Sequence, residues 1–348
     1  MSELRRDLAS GRWVIVAAER ADRPGSLIAG RQEKESREAT PPHMENCPFC
    51  MGNETMTPPE VLALGRDSGL PDTPGWRIRV VPNKYPAVEL QGEPGAGEGA
   101  EGGIFRAMTG YGVHEVLVET PEHNRHPGAL EQQQMELVVE SIYRRCLALS
   151  REPNLQYIQV YRNHGREAGA SIEHPHSQLI ALPFVPPLIK GELQHSRDYY
   201  EESGGCPYCH TLAEELAYGG RMVTENRFFS AYIPYVARLP FETWIIPNQH
   251  QSSFLELNGG QLPALASIMG TVLGRLAEVL RDPPYNLYLH GAPLRSPGLP
   301  YYHWHLVIVP RLATGAGFEM GSGVYINITV PEESARYLRE KGEIAVGI

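Results

Sequence analysis

What the sequence lacks excludes several function classes at once. It has no excess of positive charge, since 31 Lys and Arg stand against 41 Asp and Glu for a formal net charge of -10. That balance argues against nucleic acid or an anionic membrane as the main partner, so any bound phosphate must be met by a local cluster of donors. No stretch approaches the roughly 18 uninterrupted apolar residues of a spanning helix. The opening MSELRRDLASGRW has neither an apolar leader core nor a cleavage pattern. A cytoplasmic protein that uses no membrane is expected. Cysteine is scarce, with five in 348 residues, and four of these fall into two CxxC pairs, Cys47/Cys50 and Cys206/Cys209. In a reducing compartment such pairs suggest metal before disulfide. The fifth, Cys146, shares the helical spacing of Met135, Val138, Val139, Ile142 and Leu149 and reads as core.

What is present is written twice. The first half runs Cys47-Pro-Phe-Cys50, a strand-like HEVLVETPEH ending on His123, a long amphipathic helix, the strand YIQVYRN, and His174-Pro-His176. The second runs Cys206-Pro-Tyr-Cys209, FETWIIPNQH ending on His250, a helix through LPALASIMGTVLGRLAEVL, the strand NLYLH, and His303-Trp-His305. From the single histidine to the first of the pair the spacing is 51 residues in one copy and 53 in the other. Glu115 and Glu242 each stand eight residues before the single histidine, which supports the register of the repeat. The expected fold is α+β, with mainly antiparallel sheets and one long helix per copy, divided into domains 1–195 and 196–348. The tract QGEPGAGEGAEGG at 91–103 has too little apolar surface to pack and reads as a mobile loop.

Each copy offers a full set of zinc donors, because thiolate and imidazole suit the borderline softness of that ion in a four-coordinate structural site. One set is Cys47, Cys50, His123 and His174; the other is Cys206, Cys209, His250 and His303. Two zinc ions per chain are expected. Spacing alone leaves open which member of each His-x-His pair binds metal. In an extended segment side chains at i and i+2 share a face, so His174, His176 and Gln178 look toward one site. A neutral imidazole there can act as nucleophile or base. Upstream, NHGREAGAS offers Asn163, Arg166, Gly169 and Ser171 as donors for phosphate oxygens.

His174-Pro-His176-Ser-Gln178 resembles the active-site motif of the histidine triad superfamily in its transferase branch. The whole chain resembles the galactose-1-phosphate uridylyltransferase family, through RRDLASGRWVIVAAERADRPG, VVPNKYPAVE, YIQVYRNHG, PYVARLPFET, LHGAP and AGFEMGSGVYIN. The resemblance implies two tandem histidine-triad-like domains and a ping-pong exchange in galactose metabolism. His176 would attack the α-phosphorus of UDP-glucose and form a uridylyl-histidine, and a hexose 1-phosphate would then take the nucleotide. It also implies that Gln178 and Ser171 hold phosphoryl oxygens, and that Arg20, Arg23, Asn83 and Asn163 contact nucleotide or phosphates. Glu319 would bind sugar, reaching the partner's site in a homodimer. Some family members bind iron or zinc at the second site through a carboxylate and three histidines, matched here by Glu192, His290, His303 and His305. Two complete sets cannot share the same histidines, so the thiolate set is preferred and Glu192, His290 and His305 stand as secondary candidates.

Ser177 stands where the best-known uridylyltransferases carry glycine and Tyr325 where they carry glutamine, which puts the acceptor in question. CPYC and FEMGSGVYIN also resemble the ADP-glucose phosphorylases, which use the same histidine to pass an adenylyl group to phosphate. A zinc-stabilised binding protein without catalysis is the reading of a different class. The intact HPHSQ and the acidic balance count against it.

Overall fold

The computed structural model describes residues 2–22, 40–66, 69–92, 96–97, 107–313 and 315–340. Arg23 and most of the 91–103 tract lie outside the described residues. The apolar stripe of the first half forms α1 (Gln132–Leu149), burying Met135, Val138, Val139, Ile142, Cys146 and Leu149. Its counterpart is α4 (Gln261–Leu280), which buries Leu265, Ile268, Met269, Val272, Leu273 and Leu276. By length and composition α4 could cross a membrane. Its apolar side chains instead join the core shared with α1, where each contributes about 1.5–3 kcal/mol by burial.

Strands of the first half are β3 (Leu62–Leu64), β4 (Ile78–Pro82), β7 (Val113–Val118), β8 (Tyr157–His164) and β9 (His176–Leu182). Those of the second are β10 (Met222–Glu225), β11 (Phe229–Tyr232), β12 (Thr243–Pro247), β13 (Tyr285–His290) and β14 (His305–Pro310). The two sheets expected from the repeat are a single ten-stranded sheet, in the order β10-β11-β12-β14-β13-β8-β9-β7-β4-β3. Read outward from its centre, each half repeats one antiparallel order. The halves meet where β8 pairs with β13, with Tyr161 opposite Tyr288. Left alone, β8 and β13 would each expose an unpaired edge, and pairing the copies removes both.

Around this sheet, β1 (Glu3–Arg6), β2 (Trp13–Val16) and β15 (Tyr325–Asn327) make a three-stranded sheet, and β5 (Ala96–Gly97) pairs with β6 (Ala107–Met108). Two helices follow β9, α2 (Pro187–Ser203) and α3 (Pro207–Tyr218), with position 195 inside α2. Near the C-terminal end lie α5 (Gly317–Ser322) and α6 (Pro331–Glu340).

Strand alternation sorts the side chains of β9. Leu179 and Ala181 face the α1/α4 core, so His176 and Gln178 face the other way. Register places Val116 opposite Gln178 in the first half and Trp244 opposite Val307 in the second. Glu115 and Glu242 are therefore out of step with one another. The structural counterpart of Glu242 is His114, because the connection from strand to single histidine differs by one residue between copies.

Candidate active site and metal centres

The first CxxC turn sits beside β7 and β9, and its four donors are all buried and lie within 4.8 Å of one another. Cys47 and Cys50 Sγ lie 3.7 and 3.6 Å from His174 Nδ1, and Cys50 Sγ lies 3.6 Å from His123 Nδ1. Tetrahedral zinc, with bonds of about 2.3 Å to sulfur and 2.0 Å to nitrogen, sets sulfur-to-nitrogen edges of about 3.6 Å. The donor set therefore fits that ion. His174 Nε2 donates to Thr120 O at 2.7 Å, which leaves the Nδ1 lone pair aimed at the thiols. Burial pushes the Cys47 thiol up to about 11, so a cation is what would hold it as thiolate.

The second cluster, Cys206, Cys209, His250 and His303, has the same composition and the same 4.8 Å envelope. Cys209 Sγ is 3.3 Å from His250 Nδ1 and 3.5 Å from His303 Nδ1. His250 Nε2 donates to Leu299 O at 3.0 Å, whereas the buried His303 Nε2 has no hydrogen-bond partner among the described residues. This cluster is also more open, with His250 exposed and Cys209 half-buried. Glu192 and His290 stand outside it. The Glu192 carboxylate is taken up by Arg12 at 3.1 Å, His290 Nδ1 at 3.1 Å and the Tyr302 hydroxyl at 3.2 Å. Burial alone would raise this carboxyl, but the neighbouring His290, His305 and Arg12 pull it down to about 2.

A third group, His126, His164 and Asp282, has metal-like composition but the wrong tautomer. His126 Nδ1 accepts from Gly128 N at 2.9 Å, so the ring proton sits on Nε2, which lies 2.8 Å from Asp282 Oδ1. A protonated nitrogen cannot ligate.

His176 Nδ1 donates to His174 O at 2.8 Å. That bond fixes the tautomer and leaves the Nε2 lone pair available. Phe49, from the CPFC turn, packs on the ring at a centroid distance of 5.2 Å. Burial lowers the imidazole; the bond to His174 O opposes this and the Arg162 guanidinium adds to it, so the ring is neutral. Beside it, Gln178 Oε1 accepts from His114 Nε2 at 2.8 Å and from the Tyr161 hydroxyl at 3.0 Å. With its oxygen occupied, the carboxamide presents NH2 to the open face. Asn163 is oriented the same way, because its Oδ1 accepts from Asn286 Nδ2 at 2.8 Å. Gly165 and Gly169, at φ 81° and 90°, turn the chain between Asn163 and the exposed Ser171 in backbone conformations that favour glycine.

Ser177 points to the helix side, where its hydroxyl donates to Glu119 Oε1 at 2.5 Å and Glu119 pairs with the buried Arg162. It does not face an acceptor, so its departure from glycine bears on strand packing. Tyr325 does face open space. It lines a groove of about 390 Å³ with Tyr161, Asn163, Asn286, Tyr288 and Arg311. Asn83 lies at the nucleophile's side of the sheet, its Nδ2 3.1 Å from His114 Nε2. Arg20 is half-buried in the short helix Ala18–Asp22. Glu319 lies in α5 and accepts from Ala316 N at 2.9 Å. His114 and Tyr161 escaped the sequence reading; alternation with Val116 and with Asn163 places them on the right face of strands already identified, but gives neither a role.

Residues 1–186 match the family described as galactose-1-phosphate uridyl transferase, N-terminal domain, and residues 192–321 match its C-terminal domain. The ADP-glucose phosphorylase of Arabidopsis thaliana is 36% identical over 97% of this chain and 92% of its own length. The galactose-1-phosphate uridylyltransferase of Thermotoga maritima is 31% identical over 98% of each chain. Among solved structures, the A. thaliana ADP-glucose phosphorylase with bound ADP-glucose superposes with a TM-score of 0.81 at 33% identity, covering 98% of this chain and 99% of that one. A uridylyltransferase structure superposes at 0.73 with 29% identity, covering 98% of each.

Proposed function

Because the chain belongs to the galactose-1-phosphate uridylyltransferase family, a family of nucleotidyltransferases, we propose that His176 carries the nucleotide between a nucleotide sugar and a phosphate-bearing acceptor. The carrying observation is the His176 ring itself, neutral, with Nδ1 tied to His174 O. Its Nε2 attacks the α-phosphorus of UDP-glucose, the bond to the bridging oxygen breaks, and glucose 1-phosphate leaves. A phosphate oxygen of hexose 1-phosphate then attacks the uridylyl group, and the N–P bond breaks to free the histidine. Splitting one displacement into two is the advantage of a covalent carrier. The NH2 groups of Gln178 and Asn163, with Ser171, are suited to the phosphoryl oxygens, where fixed donors stabilise charge without reorganising.

A second reading, adenylyl transfer from ADP-glucose to inorganic phosphate, is favoured by the higher identity and superposition with the A. thaliana phosphorylase. The two readings share every step at His176 and differ in base and acceptor. Incubation with UDP-glucose or ADP-glucose, followed by discharge with galactose 1-phosphate or inorganic phosphate, separates them by which donor labels the protein and which acceptor clears it. No label from either donor would refute both.

Zinc is our assignment for both cysteine-histidine clusters, in a structural role: when bound, it would cross-link each CxxC turn to the strands carrying the His-x-His pairs. Metal analysis giving about two zinc per chain is the expected result, and iron at the second cluster is the alternative outcome. A homodimer in the cytoplasm completes the reading, with Glu319 available to a partner's site.

A further inference from the structure

We propose that His114 and Tyr161 are positioning residues that select which end of the Gln178 carboxamide meets the phosphoryl group. This rests on the reading of His176 as the nucleotide carrier. A carboxamide has two ends of nearly equal size, one donating and one accepting. Presented oxygen first, it would repel an anionic phosphoryl oxygen; presented NH2 first, it would bind one.

The choice is fixed from the backbone outward. Ala87 N donates to His114 Nδ1 at 3.1 Å, which puts the ring proton on Nε2, so the Asn83 Nδ2 that stands 3.1 Å from that nitrogen is a neighbour and not a hydrogen-bond partner. The His114 Nε2–H is 2.8 Å from Gln178 Oε1. A phenol hydroxyl donates to the same oxygen from the other side, from Tyr161 at 3.0 Å. Burial raises the Tyr161 phenol, which keeps it a donor. Two donors occupy the two lone pairs of one oxygen, and the flipped amide would set its NH2 against the His114 N–H, which cannot accept. The donors come from β7 and β8, the strands flanking β9 on either side, so Gln178 is clamped across three adjacent strands. No acceptor among the described residues takes its NH2.

The second half supplies the contrast. The position of Gln178 is held by Val307, that of Tyr161 by Tyr288 and that of His114 by Glu242. There Arg238 binds both Glu242, at 2.8 Å, and the Tyr288 hydroxyl. The amide-orienting pair occurs in the half that has an amide to orient.

The test is the single-turnover rate of His176 labelling by whichever nucleotide sugar the unaltered protein accepts. His114→Ala and Tyr161→Phe should each slow labelling about tenfold, the value of one lost hydrogen bond, with the donor's apparent affinity nearly unchanged. His114→Gln, which restores a donor near the Nε2 position, should recover most of that loss. In a Gln178→Ala background both changes should have no further effect, because residues acting through one partner are not additive. Zinc content and melting temperature confirm that each variant is folded. Labelling at the parental rate in both single variants, or losses that persist undiminished without Gln178, would overturn the inference alone. An unaltered protein that no nucleotide sugar labels would overturn the underlying reading, and this inference with it.

Discussion

The two halves of the sheet hold the same skeleton around different central histidines. In each, a CxxC aromatic packs on the ring at 5.2 Å, Phe49 on His176 and Tyr208 on His305. In each, Nδ1 donates to the carbonyl two residues back, at 2.8 and 3.1 Å. The surroundings of Nε2 then diverge. His176 shares its face of β9 with Gln178, whose oxygen His114 and Tyr161 hold from the flanking strands. His305 is stacked under Trp244 at a centroid distance of 4.5 Å and lies 5.3 Å from the His290 ring. Both copies keep the cysteine-histidine frame, and one carries an oriented amide beside its central histidine. Under the proposed function, the neighbouring strand positions set the two histidines apart, more than the His-x-His motif they share.

The sharpest way to break this comparison is to remove each ring in turn. His176→Ala should lower kcat/KM by about 10⁴-fold or more, the usual loss with a covalent nucleophile. His305→Ala should leave turnover within about threefold and cost about 2–4 kcal/mol of stability through the emptied stack. Comparable catalytic losses in steady-state assays would mean that both halves are active.

A chelator titration separates the metal centres next. The second cluster has an exposed His250 and a His303 without an outer hydrogen-bond partner among the described residues, and such partners typically carry 10- to 100-fold in metal affinity. Metal should fall from two to one per chain with activity retained. Loss of the remaining ion should then unseat the His174 carbonyl that holds His176, and activity with it. Activity falling in proportion to the first ion would contradict this order.

The smallest effect belongs to the seam between halves, where Asp282 at the end of α4 meets His126 and His164 at 2.8 and 2.7 Å. Burial alone would raise its carboxyl, but the hydrogen bonds from the two histidines hold it well below the usual range. Its stabilisation is complete above the unfolded carboxyl value of about 3.9 and is lost as pH falls from there toward the folded value. Asp282→Asn, which tolerates the left-handed backbone at φ 54°, should cost about 1 kcal/mol at neutral pH, discounted because the carboxylate is partly exposed. Thermal melts should show a drop of about 2 °C that closes below pH about 4.

The cysteine pairs, the His-x-His pairs and the order of elements were legible because a four-donor cluster and strand alternation demand rigid local spacing. The merger of two sheets was not, since β8 and β13 pair across more than a hundred residues and nothing local distinguishes an edge from a seam. Matching Glu115 with Glu242 misled by one residue, because a count back from the histidine ignores the connection after the strand. Ser177 could have been placed correctly, since alternation puts it opposite His176 and Gln178. His114 could not be singled out, because a lone histidine on a strand becomes informative only once Ala87 N and Gln178 are seen on either side of its ring.

The most direct measurement is quantitative peptide mapping by mass spectrometry after incubation with UDP-glucose and, separately, ADP-glucose. One nucleotidyl group per chain, on the peptide bearing His176 and absent from that bearing His305, is the expected result. Label on His305, on both histidines, or on neither would contradict the assignment of reactivity to one half.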